Sequence, residues 1–218
     1  MRQGNGGIPI QNTTMTYGSD NRLAAYNGQN VVYDADGNMT TGSQAGAMGS
    51  YTYDSRNRLT TAGTTSYIYD AENQRIGVNE NGNLTSYVIN PMGLSQTLVK
   101  TDAQGNKTYY IYGLGLIGQE QDGVYLNYHY DRRGSITAIS DMTGAVTDRF
   151  QYGPYGELVY HGGTTLTPFR FNGRDGVMTD SNGLCYMRAR YYNPDTNLFK
   201  RRCINIQWLK FIKTRENR

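Results

Sequence analysis

The sequence predicts an all-β chain on three observations: a tyrosine-led turn motif recurs along it, the runs between turns alternate with period two, and no helical apolar stripe appears before residue 200. The motif reads Tyr33-Asp34-Ala35-Asp36-Gly37-Asn38-Met39-Thr40, then Tyr53-Asp54-Ser55-Arg56-Asn57-Arg58-Leu59-Thr60, then Tyr69-Asp70-Ala71-Glu72-Asn73-Gln74-Arg75-Ile76. It returns at Tyr130-Asp131-Arg132-Arg133-Gly134-Ser135-Ile136-Thr137 and, degraded, at Thr101-Asp102 and Tyr152-Gly153. Spacings of 20 (Tyr33 to Tyr53), 16 (Tyr53 to Tyr69) and 22 (Tyr130 to Tyr152) make the period near twenty and ragged.

Each repeat is expected to be strand, turn, strand. Asp36-Gly37, Asn81-Gly82, Gly105-Asn106, Asp122-Gly123 and Asn182-Gly183 tolerate positive φ and are expected to close tight hairpins. Ser66 to Tyr69, Thr85 to Ile89 and Lys107 to Tyr112 alternate and are rich in β-formers. The aspartate after each tyrosine is expected to accept hydrogen bonds from its own turn. A lone hairpin is marginal in water, so the hairpins must pair edge to edge into one long sheet that can coil and close. Residues 1–32 are expected to form an incomplete repeat and 33–160 the array. A chain that begins mid-pattern is expected to be part of something longer, with exposed sheet edges that favour marginal stability or self-association.

Composition agrees with a half-wet sheet. Hydrophobic residues are 37%, and Tyr (20) far outnumbers Phe (5), so tyrosine rings must supply much of the apolar area while their hydroxyls reach polar partners. Mean hydropathy is −0.66. Net charge is +3, and residues 200–218 alone carry seven basic groups against Glu216, which leaves the body mildly acidic. That is not the footprint of a nucleic-acid binder. Two cysteines, Cys185 and Cys203, are too few for a disulfide framework. No run approaches the ~20 apolar residues of a membrane helix, and Met1 to Ile10 lacks a signal-peptide pattern.

Pro168-Phe169-Arg170-Phe171-Asn172-Gly173, followed by Asp180-Ser181-Asn182-Gly183-Leu184-Cys185-Tyr186-Met187-Arg188-Ala189-Arg190-Tyr191-Tyr192-Asn193-Pro194 and on to Phe199, resembles the RHS repeat-associated core. With the Tyr-Asp repeats before it, the chain resembles the C-terminal part of an RHS/YD-repeat protein over roughly Tyr33 to Phe199, with 161–199 as the closing core. The resemblance implies a spiral, cocoon-like shell in a secreted or cell-surface bacterial protein of polymorphic-toxin type, enclosing or presenting a C-terminal effector. Wall-associated YD-repeat proteins suggest the alternative of adhesion or surface-carbohydrate binding. The partners implied are the upstream shell, the effector and a surface glycan. The structural motif falls on Tyr33, Asp34, Gly37, Tyr53, Asp54, Tyr69, Asp70, Tyr130, Asp131, Gly134, Gly173, Asp180, Gly183, Leu184, Arg188, Arg190, Tyr191, Tyr192, Pro194 and Phe199. Many members carry Asp-Pro after the closing Phe, and nearby aspartates cleave the chain. Here Lys200-Arg201-Arg202-Cys203 follows, and Asn197 stands where Gly is usual, so self-cleavage is expected to be absent.

Candidate chemistry is thin, and no catalytic residue, cofactor or metal is expected. Cys185 with His161 is the only conceivable thiol-imidazole pair, and Cys185 is better read as a small buried hydrophobe. Asp34-Ala35-Asp36-Gly37-Asn38 starts like a calcium loop, then fails with Met39 at the sixth position and Ala45 at the twelfth. Tyr109 and Tyr110 are the rings singled out for stacking on sugars. Ile204, Trp208, Leu209, Phe211 and Ile212 fall at helical spacing in a basic tail, 200–218, expected to be either a segment docked inside the shell or a sequence altered by truncation or frameshift beyond Phe199, rather than a membrane contact.

Overall fold

The structure is a computed structural model describing residues 13–92 and 95–200; the calls on the basic tail beyond Lys200 and on Cys203 lie outside the described residues. A three-stranded sheet holds β1 (Met15–Tyr17), β2 (Leu23–Tyr26) and β3 (Gln29–Asn30). A 14-stranded antiparallel meander follows in strict chain order. Its strands are β4 (Val32–Tyr33), β5 (Met39–Gln44), β6 (Ala47–Tyr53), β7 (Leu59–Ala62), β8 (Thr65–Tyr69), β9 (Arg75–Glu80) and β10 (Asn83–Asn90). They continue as β11 (Gln96–Thr101), β12 (Lys107–Tyr112), β13 (Leu116–Gln121), β14 (Val124–Tyr130), β15 (Ile136–Ser140), β16 (Val146–Tyr152) and β17 (Leu158–Gly162). The chain is all-β: the only helix among the described residues is a three-residue 3-10 turn, Gly173–Asp175. It precedes a small sheet of β18 (Met178–Thr179), β19 (Cys185–Met187), β20 (Arg190–Asn193) and β21 (Leu198–Phe199).

Two turn types recur. Asn81-Gly82 and Asp122-Gly123 have positive φ at both residues, the two-residue turn whose twist matches its strands. The turns after the repeat tyrosines differ from that expectation. In Asp34 to Gly37 the amide of Gly37 bonds Asp34 O (3.1 Å), that of Asp34 bonds Asn38 O (3.0 Å), and only Gly37 has positive φ (80°). This is a four-residue turn with a left-handed bulge residue, a role that Asn57, Asn73, Gly105, Gly134 and Gly183 repeat. The aspartate secures it: Asp54 Oδ1 accepts from Arg56 N (3.0 Å) and Arg58 N (2.9 Å), Asp131 Oδ1 from Arg133 N (2.9 Å) and Ser135 N (2.8 Å). Burial works to raise the Asp54 carboxyl, but the bonds from Arg58 and Arg56 hold it below the usual carboxylate range.

Turns of a meander alternate between its two rims. The turns after Tyr33, Tyr53, Tyr69, Tyr130 and Tyr152 therefore share one rim, while the similar turn at Asp102 to Gly105 sits on the other. On the first rim four of these tyrosines reach back to the start of an earlier strand: Tyr33 Oη donates to Leu23 O of β2 (3.1 Å), and Tyr53 to Met39 O (3.0 Å), Tyr69 to Leu59 O (2.8 Å) and Tyr130 to Leu116 O (2.5 Å), each on the strand just before its own. Leu23, Met39, Leu59 and Ile136, each six residues after a repeat tyrosine (Tyr17 included), are fully buried. Tyrosine thus fills the core and caps a bulge-side carbonyl with one side chain.

Residues 164–200 pack on one face of this sheet. Consecutive residues reveal its curvature: Asn193 Nδ2 donates to Ser43 O in β5 (2.9 Å), while Tyr192 Oη donates to Tyr155 O in the β16 to β17 turn (2.9 Å). In a flat sheet β5 and β16, eleven strand steps apart, would stand about 53 Å apart at about 4.8 Å a step. Neighbouring Cα atoms are only about 3.8 Å apart. The sheet therefore curls around the segment.

Candidate functional site: the closing segment inside the curled sheet

Contacts follow the sheet around the segment strand by strand. Asn182 Nδ2 donates to Tyr67 Oη on β8 (2.9 Å), Ser181 to Glu80 on β9 (2.5 Å), and Arg188 to Ser95 Oγ beside β11 (3.1 Å). Phe169 meets Tyr110 edge to face (4.8 Å), Thr167 accepts from Tyr128 (2.9 Å), and Ile136 N donates to Arg170 O (3.0 Å). Asp148 on β16 binds Thr165 N (2.9 Å) and His161 Nε2 (3.0 Å), and these bonds, against the push of burial, hold its carboxyl below the usual range.

The centre of the site is Arg75 with Asp180, 2.7 Å apart with side-chain exposures of 0% and 4%. The guanidinium lies 4.1 Å over the Tyr186 ring, with Tyr67, Tyr87 and Tyr191 also within 6 Å. Both partners are departures from the repeat. Arg75 occupies the sixth position after Tyr69, where the repeats led by Tyr17, Tyr33, Tyr53 and Tyr130 bury an apolar side chain. Asp180 begins a turn of repeat geometry, with Gly183 N on Asp180 O at 3.0 Å and Asp180 N on Leu184 O at 2.9 Å. Its carboxylate is turned away to Arg75, and Asn182 Oδ1 caps Leu184 N instead (3.1 Å). Burial pushes the Asp180 carboxyl above the usual carboxylate range, against the pull of Arg75. Tyr69 and Tyr191 complete the cluster, hydroxyl to hydroxyl at 3.0 Å.

Lys200 ends the described chain and is buried. Its carbonyl accepts from Met39 N (3.0 Å), and its ammonium group donates to Ser43 O and lies 4.6 Å from the centre of the Tyr51 ring. Burial lowers it to about 7, with Asp195 opposing. Arg75, Lys200, Asn193 and Asp148 were not singled out by sequence. Only Arg75 left a signal, as a charge at an aliphatic position.

Of the remaining motif residues, Gly173 is buried against Phe169, and a Cβ there would stand 3.0 Å from Phe169 Cβ. Arg188, with φ of 55°, bridges Ser95 O and Asp175 O, and Arg190 stacks on Phe199 at 3.6 Å. Pro194 lines a cavity of about 380 Å³ shared with Val78, Lys100 and Asp195. Cys185 is buried beside Phe171 and Val177, and burial pushes its thiol up to about 11. His161 instead stacks on Phe150 (4.3 Å), so no thiol-imidazole pair forms. Asp34 gives its oxygens to Asn38 N and Nδ2 (both 2.8 Å), as a turn and not a cation loop. Of the two tyrosines proposed for sugar stacking, Tyr109 is exposed but Tyr110 is buried (5%) in the core, because strand alternation turns neighbours to opposite faces.

Family comparison settles what this architecture is: the family described as Teneurin YD-shell matches residues 4–217. The chain belongs to the teneurin YD-shell family. This YD-shell chain is 30% identical over 121 residues to a Bacillus spizizenii protein described as the tRNA3(Ser)-specific nuclease WapA, covering 54% of this chain and 5% of that one. Among solved structures, TcdB2-TccC3 without its hypervariable C-terminal region matches with a TM-score of 0.64 at 16% identity, over 87% of this chain and 11% of that one. A Photorhabdus luminescens Tc holotoxin pore matches with a TM-score of 0.59 at 14% identity, over 88% and 12%. The chain thus spans about a twentieth of the curated relative and about a tenth of the solved chains; these structures share its fold.

Proposed function

We propose that this chain is the closing part of a toxin-associated YD shell, secreted or displayed at a cell surface, and that it holds or presents a C-terminal effector without catalysing a reaction itself. In this reading 33–160, together with the end of β17 at His161 and Gly162, form the wall, with further shell sequence as their partner, and the rest of the closing core to Phe199 forms the plug. One observation carries it: residues 164–200 lie inside the curled sheet, where the carbonyl of Lys200 accepts from Met39 N on the inner wall. The nuclease named for a relative and the hypervariable C-terminal region named for a neighbour favour an effector at that place. The alternative, surface-glycan binding, rests on the exposed ring of Tyr109.

The test is protection. A protease-sensitive reporter placed after Arg218, in a chain expressed with its flanking shell sequence, is expected to resist protease until the sheet unfolds. Cleavage at the rate of free reporter while the sheet stays folded would overturn encapsulation. Intact-mass analysis is expected to show an uncleaved 24.4 kDa chain; a product severed near Phe199 would overturn the non-catalytic reading.

A further inference from the structure

The last hairpin of the closing segment brings two reactive side chains onto one atom. In the β20 to β21 pairing Asn193 stands opposite Leu198, and Lys200 follows Leu198 at period two. Asn193 and Lys200 are therefore diagonal neighbours on one face, with Cβ atoms about 7–8 Å apart, a span that a lysine side chain covers. Both are buried, each 1% exposed. Asn193 Nδ2 donates to Ser43 O (2.9 Å), the Lys200 amine donates to the same oxygen, and so does Tyr51 Oη (2.5 Å). Two donors on one oxygen stand no further apart than two hydrogen-bond lengths, about 6 Å. A carbonyl oxygen has two lone pairs, so three donors over-subscribe Ser43 O.

Each partner is also prepared chemically. Burial against Tyr51 and Met39 brings the amine down to about 7, so near neutral pH much of it carries the free lone pair of a nucleophile. The amide carbon beside it is polarised, because Asn193 Oδ1 accepts from Asp195 N (2.9 Å). Sequence removes the usual competitor for that carbon: the next residue is Pro194, whose nitrogen bears no hydrogen and cannot close onto the side chain. The Asp195 carboxylate is held nearby by Gly46 N (3.1 Å), in the turn that follows Ser43.

We propose that Lys200 and Asn193 condense into an intramolecular isopeptide bond. Nζ attacks Cγ of Asn193, the Cγ–Nδ2 bond breaks, and a proton from Nζ passes by way of the Asp195 carboxylate to Nδ2, which leaves as ammonia. The amide formed keeps a single N–H, so Ser43 O is left with two donors for its two lone pairs, and a buried charge disappears. The bond closes a ring over residues 193–200 and holds the carbonyl of Lys200 on Met39 N. The inference stands apart from the effector reading, because it uses only this hairpin and the strand beneath it.

Trypsin digestion with tandem mass spectrometry, on chain expressed with its flanking shell sequence, reads the bond. Acylated Lys200 resists trypsin, so the expected peptide runs from Tyr191 to Arg201, lighter than its sequence by one ammonia, about 17 Da, with no backbone fragments between Asn193 and Lys200. Lys200→Met is expected to give the same peptide at full mass with a complete fragment series. Asp195→Ala is expected to cut the looped fraction about tenfold or more. An unmodified Tyr191 to Lys200 peptide from folded chain overturns the proposal, as does an ammonia loss that persists in Lys200→Met. A looped fraction unchanged in Asp195→Ala overturns the proton path. If either variant fails to fold by circular dichroism, the peptide of the parent chain decides.

Discussion

Replacing Arg75 by Met tests whether the Arg75 to Asp180 pair locks the closing segment to the sheet. Met suits the site, since Met39 fills the corresponding position of another repeat. The pair is fully buried at 2.7 Å, so removing one partner strands the other charge, which typically costs about 3–5 kcal/mol. The two single variants should not be equal. In Arg75→Met, Asp180 can escape by protonating, because its carboxyl already stands above the usual range and loses its opposing cation. In Asp180→Asn the guanidinium cannot shed its proton, so this variant falls at or beyond the upper end of that range. The pH dependence has a definite sign: Asp180 in Arg75→Met has a raised folded pKa, so its neutral form supports the fold at low pH and that support is lost as pH rises through it. Chemical denaturation followed by circular dichroism, at pH 5 and pH 7.5, measures each variant and Arg75→Met with Asp180→Asn. The double variant should recover much of the loss, giving a coupling of about 2 kcal/mol or more. Singles within about 0.5 kcal/mol of the parent, or an additive double variant, would refute the lock.

Against chain whose Lys200 amine is free, Lys200→Met should stabilise the fold near pH 7. The folded amine titrates near 7 rather than 10.5, so its penalty is absent above 10.5, accumulates as pH falls to 7 and is constant below; it is about 5 kcal/mol at most. Denaturation midpoints from pH 7 to 9.5 should rise in the parent more than in the variant. Asp54→Ala removes the acceptor for two turn amides and for Arg58 Nε, a loss of about 1–2 kcal/mol in denaturation, with Asp54→Asn milder. Gly156→Ala, at φ 96° with its Cβ 2.6 Å from the Phe171 ring, should cost about 2–3 kcal/mol, whereas Gly82→Ala, at φ 88° in open space, should cost about 1. Tyr69→Phe loses bonds to Leu59 O and Tyr191 Oη, and thermal melts should register a cost of about 1–2 kcal/mol.

Local chemistry was legible. Strand class followed from alternation and turn residues, since side chains alternate faces and Gly or Asn supplies positive φ wherever they occur. Turn detail was less so: Asp36-Gly37 and Asn81-Gly82 look alike as pairs, yet the first closes a bulged four-residue turn and the second a two-residue one. The difference lies in the carboxylate of Asp34, which caps the longer loop. Tyr109 and Tyr110 show the other limit, because composition marks both as aromatic and only the pleat says which faces water.

The sequence by itself determined that the chain is a meander of tyrosine-capped hairpins, because each hairpin is specified within some twenty residues. Tertiary structure alone decided that the sheet curls around residues 164–200, which brings Ser43 and Tyr155 to neighbouring residues of one segment. It also decided that Arg75 and Asp180, 105 positions apart, share one buried site. An arginine at an aliphatic position and an aspartate whose carboxylate does not cap its own turn each look like a local fault. They are reconciled only when curvature removes both from water and makes each the other's partner.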